Sequence, residues 1–391
     1  MKREKNHIDL VLFIIVLFLM IMSLGVVYSA SSTWSMVKWG ESGRLLGRHA
    51  LKVVAGMVAL FLFMHIDYHA YRKVTKIGLF IAVGLLGLTL LLGGEVNGAV
   101  RWMRYGAVGF QPSEFAKYAL IFHLCVLIAQ KREGITIWKT GYVPMLIWIV
   151  GVTGLVFAQP NFSTGAVIFA LSMVLLFLGK ARLSHLGLTF AMLIPLLAVF
   201  MLQAGYRKTR LLSFLGGSGG AAVRPNYQLD QGIIGFGNGG LFGLGPGGSH
   251  QRDLFLPESY GDFVFSVIGE EYGLIGTLLF LTLFMVICLR GVRIARHAPD
   301  ELGRMLALGI TVSVTLYALI NAGVTLGILP TTGLPMPFVS YGGSSLFFSS
   351  IAIGVLLNIS LQTDLYPRLG GAPEGVRPLE PLRATASGKI S

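Results

Sequence analysis

Charge is scarce in this chain. Only 13% of its 391 residues are Asp, Glu, Lys or Arg, about half the ~25% typical of soluble domains, which excludes an ordinary water-soluble enzyme. Acids are scarcer than bases, 18 against 31. Cysteine is nearly absent: Cys125 and Cys288 each lie in an apolar run with no CxxC and no neighbouring His, so they read as small buried hydrophobes. There is no HExxH and no His cluster at metal-ligand spacing. Ser340, Ser344 and Ser345 lack convincing His and Asp partners, which argues against a serine hydrolase. The string GFGNGG (235–240) fits G-x-G-x-x-G but has no strand–turn–helix setting and no later acidic residue, so it gives no dinucleotide site.

Apolar residues fill the gap. They make up 54% of the chain before 51 glycines are counted, and the mean hydropathy is +0.72. Many runs approach the ~20 residues that cross a bilayer as a helix. They are continuously apolar rather than alternating, which excludes an outer-membrane barrel. The expected fold is therefore an all-α polytopic membrane protein with ten spans, at 8–28, 48–66, 74–94, 113–130, 142–158, 164–179, 185–204, 263–289, 305–328 and 340–361. The first run exceeds the roughly 7–15 residues of a signal-peptide core, so it is expected to stay as a helix.

Placing the N-terminus in the cytoplasm puts most basic residues on one side, among them Arg72, Lys73, Lys76, Lys131, Arg132, Arg290, Arg293, Arg296 and those of the tail. By the positive-inside rule both termini are then cytoplasmic. The formal charge of +13 reads as contact with anionic lipid rather than nucleic acid. Residues 1–362 form the membrane domain, and 363–391 form a disordered cytoplasmic tail. One connection stands apart, the outer segment 205–262, nearly sixty residues long, glycine-rich and expected to lack regular structure. Loops of that length are usually functional. Its glycines at 232–248 allow the backbone to approach a ligand or the membrane surface, or make a flexible connector.

Three constellations carry chemistry. In QPSEFAK, Glu114 and Lys117 lie three apart on one helix face; they form a structural ion pair, or they line a polar cavity open to the outer leaflet. In LPESYGDFVFSVIGEEYG, Asp262 sits where the outer loop meets the eighth span, four residues after Glu258 and ahead of Glu270 and Glu271. It suits a helix N-cap or a general base at headgroup depth. Arg101, Arg104, Arg207, Lys208, Arg210 and Arg252 lie outside, against the charge bias. Arginine forks bind phosphate oxygens, and ordinary snorkelling to headgroups explains any one of them as well. Last, PTTGLPMPFVSYGGSS, which includes Ser340, is irregular backbone that must be packed in protein or line a cavity.

These strings, with YSASS at the end of the first span and NGAVRWMRYGAVGFQPSEFAK before the fourth, resemble the SEDS family of bacterial peptidoglycan glycosyltransferases in order and over nearly the whole chain. IGEEYG and YSASS favour its division branch (FtsW) over its elongation branch (RodA). The resemblance implies polymerisation of lipid II on the outer face of the cytoplasmic membrane, at the division septum. A C4 hydroxyl attacks the anomeric carbon of a second lipid-linked disaccharide, with inversion and loss of undecaprenyl pyrophosphate. Asp262 maps onto the family's essential acid and Glu114 and Lys117 onto its membrane-cavity pair. Arg101, Arg210, Arg252, Glu258 and Ser340 accompany them, with basic side chains and a divalent cation such as Mg or Mn as candidates for the phosphates. The implied partners are a class B penicillin-binding protein, other division proteins and membrane lipid. The rival readings are a lipid II flippase and a noncatalytic division scaffold. Two positions depart from the family pattern: QPNFST (159–164) lacks a common carboxylate, and Gly261 stands where Thr is frequent.

Overall fold

The computed structural model describes residues 7–96, 99–105, 108–203, 227–253, 256 and 259–365. Its helices are α1 (Leu10–Trp39), α2 (Arg44–His65), α3 (Tyr71–Leu92), α4 (Pro112–Lys131), α5 (Val143–Ala158), α6 (Phe162–Leu178) and α7 (Leu183–Gln203), followed by α8 (Tyr227–Gly239), α9 (Val264–Arg296), α10 (Glu301–Thr325) and α11 (Gly343–Ser360). All ten expected apolar runs are helical. Eight of the helices are long and apolar enough to cross a membrane. The shorter apolar ones are α6, at 17 residues, and Leu183–Pro195 in α7. The protein is thus an all-α, multi-pass membrane protein in class.

Burial sorts the helices into a centre and a periphery. Within their apolar windows 83% of α4, 72% of α10 and 78% of α11 is buried, against 28–39% of the other long helices. Helices α4, α10 and α11 are therefore the hub, and one face each of α1, α2, α3 and α9, carrying residues such as Leu10, Ile14, Leu51, Ile77 and Leu278, is exposed where lipid would lie. Small residues allow close approach: a side chain at Gly354 of α11 would stand 2.6 Å from the Leu60 carbonyl of α2.

Polar ties define the two ends. At one, the Asp9 carboxylate caps α1 through Leu12 N–H (3.0 Å) and lies 3.8 Å from Arg290, and Asp9 N–H donates to Ser360 Oγ (3.1 Å). On the same face Tyr68 N–H donates to Asn358 Oδ1 (3.0 Å), and its hydroxyl donates to Asp300 (2.9 Å). At the other end Ser259 Oγ donates to the Ala30 carbonyl (2.8 Å). The start of α1 and the ends of α9 and α11 therefore share one face, and Asp262 belongs to the opposite one.

Two features depart from the sequence reading. A small antiparallel sheet, β1 (Gly94–Val96), β2 (Ala99–Tyr105) and β3 (Val108–Phe110), fills the connection before α4, with Gly94 opposite Trp102 and Met103 opposite Phe110. The outer connection is also not structureless, since α8 and the turn after it dock on α9. Their interlock depends on Gly273, whose φ of 63° and ψ of −164° break the helix inside α9. Leu244 and Gly245 N–H donate to the carbonyls of Glu270 and Glu271 (2.9 and 3.0 Å), and Leu274 and Ile275 N–H donate to Gly240 and Leu241 (2.9 and 3.2 Å). The glycine-rich loop is thus neither a flexible connector nor a ligand cradle at this point, because it lies backbone to backbone on α9.

Gly273→Ala is expected to lower the thermal unfolding midpoint in detergent. The conformation alone costs about 1–3 kcal/mol in a residue with a side chain, and a Cβ there would also meet Gly243 N. An unchanged midpoint would mean the loop does not dock in this way.

Candidate functional site

Asp262 sits half-buried on the two-residue lead into α9. It is not the N-cap residue, which is Phe263 (φ −107°, ψ 16°). The segment that carries it is fastened from several sides. Tyr341 N–H donates to the Tyr260 carbonyl (2.9 Å), and Asn321 Nδ2 of α10 donates to the Asp262 carbonyl (2.8 Å). The carboxylate faces Gly333 (φ 71°), where a Cβ would stand 3.1 Å from Asp262 Oδ2. The irregular stretch 330–342 is thus the floor beneath Asp262. Ser340 shapes that floor from within, its Oγ accepting from Met336 N–H (2.8 Å).

An aromatic and cationic rim adjoins this segment, and the sequence reading did not single it out. The rings of Trp34, Tyr260 and Tyr341 follow one another at 5.6 and 5.5 Å. Lys38 lies 4.5 Å above Trp34, Arg48 5.5 Å from Trp39 and Lys52 3.4 Å above Tyr341. The signal available in the sequence was four basic residues, Lys38, Arg44, Arg48 and Lys52, interleaved with Trp34 and Trp39 at the outer ends of two helices. Cations over aromatic faces keep their charge available to an anion while their apolar stems stay covered.

Glu114 and Lys117 meet as their spacing predicts. Pro112 opens α4, Glu114 follows in its first turn, and Lys117 Nζ lies 2.8 Å from Glu114 Oε2. Both are about 1% exposed. Lys117 also stands 3.8 Å from the Tyr317 ring of α10 and 4.7 Å from that of Tyr118, whose hydroxyl is 3.1 Å from Ser349 Oγ of α11. The pair is therefore enclosed at the junction of the three hub helices. Ser113, beside Glu114, and Ser313, one turn before Tyr317, are buried with hydroxyls that have no partner among the described residues. This polar seam is unusual for a hydrophobic centre, where unpaired groups are costly.

Arg252 and Arg101 have protein partners. Arg252 donates to Ser29 Oγ (2.7 Å), the Ser29 carbonyl (3.1 Å) and the Gly247 carbonyl (2.6 Å), and lies 4.0 Å from Glu271. Glu271 accepts from Ser29 Oγ, and Glu270 accepts from Ser249 Oγ, Asn238 Nδ2 (3.2 Å) and Gln251 N–H (3.1 Å). YSASS and IGEEYG are thus two halves of one buried clamp on the outer loop. Arg101 donates to the Pro160 carbonyl (2.6 Å), tying the sheet to the turn between α5 and α6. In that turn Gln159 Nε2 donates to Leu86 O (2.9 Å), and Asn161 is buried. Arg210 and Glu258 lie outside the described residues, as do Arg207 and Lys208. Among the described residues no three His, Cys, Asp or Glu side chains converge to hold a metal. A divalent cation at Asp262 would have to complete its shell from substrate phosphates and water, as Mg²⁺ commonly does.

Comparison with known proteins gives the family. The model of the cell cycle protein family of FtsW, RodA and SpoVE matches residues 9–365. Stage V sporulation protein E of Bacillus subtilis is 39% identical over 370 residues, covering 92% of this chain and 99% of its own. The probable peptidoglycan glycosyltransferase FtsW of Trichlorobacter lovleyi is 36% identical, covering 93% and 95%. Among solved structures, a chain from a peptidoglycan synthase complex that coordinates polymerization and crosslinking superposes with a TM-score of 0.75 at 26% identity, over 92% of this chain and 99% of that one. The rod shape determining protein RodA of Thermus thermophilus gives 0.66 at 26% identity, over 90% and 96%. The chain belongs to the FtsW, RodA and SpoVE family, the SEDS proteins, and within it is FtsW-like.

Proposed function

We propose that this chain, a peptidoglycan glycosyltransferase, polymerises lipid II on the outer face of the cytoplasmic membrane with Asp262 as the base, and that it serves septal synthesis. The observation that carries the reading is the placement of Asp262, a half-buried carboxylate facing Gly333, on backbone held to α10 and to the 330–342 floor. The acceptor's C4 hydroxyl gives its proton to Asp262 as its oxygen bonds the donor's anomeric carbon. The bond from that carbon to the pyrophosphate oxygen breaks on the opposite side, inverting an α-linked donor to a β-linked strand. Leaving-group charge is offset by outer cations, for which the candidates are Lys52 above Tyr341, Lys38 above Trp34 and Arg48 beside Trp39. The ten-span topology, with both termini cytoplasmic, belongs to the same proposal. It is supported by the shared face of Asp9, Arg290 and Ser360 and by the positive-inside rule.

A flippase would use the enclosed Glu114–Lys117 pair equally well. It has no need of a base on one side, so the Asp262 assembly favours the polymerase. The test is the linkage: strands made from labelled lipid II should be cut to disaccharide units by a β-1,4-specific muramidase. Product resistant to that enzyme would refute inversion.

A crosslinking partner is supported because the chain's Ser-x-x-Lys string, Ser35–Lys38, makes no transpeptidase site: no Ser-x-Asn accompanies it, Ser35 Oγ donates to the Glu41 carbonyl (2.7 Å), and one solved relative belongs to a complex that couples the two reactions. A single-pass class B penicillin-binding protein should co-purify in mild detergent and raise the polymerisation rate. Full activity alone, with no recoverable complex, would remove the obligate partnership.

A further inference from the structure

We propose that Asn321 is a positioning residue for Asp262, fixing the main chain that carries the carboxylate and setting its distance from the floor beneath it. The inference rests on the reading of Asp262 as the base. Asn321 is 1% exposed in α10, in a helix otherwise apolar enough to span a membrane. Both hydrogens of its amide are used: Nδ2 donates to the Asp262 carbonyl and to the Leu334 carbonyl, each at 2.8 Å. Its Oδ1 is buried with no partner among the described residues. A residue kept for stability alone would not leave a desolvated carbonyl unpaired, since that loss offsets much of what the two bonds contribute.

What the amide does gain is geometry. Leu334 follows Gly333, the residue that faces Asp262 Oδ2, so one side chain fixes both the backbone of the base and the surface its carboxylate rests on. That surface is itself held in an uncommon conformation. Gly333 has φ 71°, and Phe338, buried, has φ 63°, a region that costs a residue with a side chain free energy and persists where its surroundings over-determine it. A base must sit within hydrogen-bond reach of the proton it takes, and a rigid site keeps it there without reorganisation at each turnover.

The test uses the full-length protein with its partner, if one is required, and labelled lipid II. Asn321→Leu removes both donors at similar volume. It is expected to lower kcat roughly 10- to 100-fold, the scale of an ångström-sized misplacement, with KM changed by no more than about twofold and the unfolding midpoint retained. A kcat equal to wild type, or a loss that merely tracks the fraction of folded protein, would overturn the inference. Should Asn321→Leu not fold, Asn321→Gln, which keeps the amide, is compared with Asn321→Asp, which turns lone pairs on both carbonyls. Higher kcat in the Gln variant is expected, and equal kcat overturns the inference. Asp262→Asn run in parallel separates the two readings. If it is inactive while Asn321→Leu is normal, the positioning role falls alone. If it is active, the base reading falls and takes this role with it.

Discussion

Asp262→Asn is expected to lose glycan polymerisation by about 10²–10⁴-fold, the range that general bases contribute, while folding and inserting as the wild type does. The amide has the same shape as the carboxylate and cannot take a proton from the acceptor hydroxyl. Stability should be spared because Asp262 is not the N-cap residue of α9, the amide is isosteric with the carboxylate, and the tie from Asn321 is to the main chain. Rate measured against unfolding midpoint in the same preparation checks both halves. Near-normal polymerisation by this variant would remove Asp262 from the base role.

The second large effect is expected at Glu114 and Lys117. Truncating either one leaves its partner as an uncompensated charge among the hub helices, at a cost of roughly 3–5 kcal/mol. Glu114→Ala and Lys117→Ala should each impair stability or activity severely, and the double variant should cost clearly less than their sum. The coupling follows from the 2.8 Å contact and from burial of both side chains. Additive losses in the double-mutant cycle would show that the side chains do not meet in the working protein.

How much of this was legible in sequence depends on whether the signal was local. Pro112, Glu114 and Lys117 could be read directly, because a helix start and an i,i+3 spacing are properties of a few neighbouring residues. The end of the first span was set at Tyr28, yet α1 continues to Trp39. The serines after Tyr28 are accommodated in the helix because such hydroxyls can bond to the preceding turn, as Ser32 Oγ does to the Ser29 carbonyl (3.3 Å). Asn321 passed unnoticed as a lone polar residue in an apolar run, since its two acceptors lie 59 residues before it and 13 after it. Glu270 and Glu271 were visible as an acidic pair, but not as a clamp, because Ser29 and Arg252 reach them only through the fold. In sequence the loop glycines read as approaching a ligand or the membrane surface, or as a flexible connector, whereas those at 240–245 lie against the backbone of α9. Runs of apolar residues locate helices and say little about the long-range polar contacts that position a site.

The central claim is that this chain polymerises lipid II by itself or with its partner, through Asp262. The most direct measurement reconstitutes wild-type and Asp262→Asn protein, alone and with a candidate transpeptidase, supplies labelled lipid II, and resolves the products on a gel. The account predicts a ladder of long, muramidase-sensitive strands from the wild type and none above background from Asp262→Asn at equal folded concentration. Equal ladders from both, or no polymer under any condition alongside movement of intact lipid II across the bilayer, would contradict it.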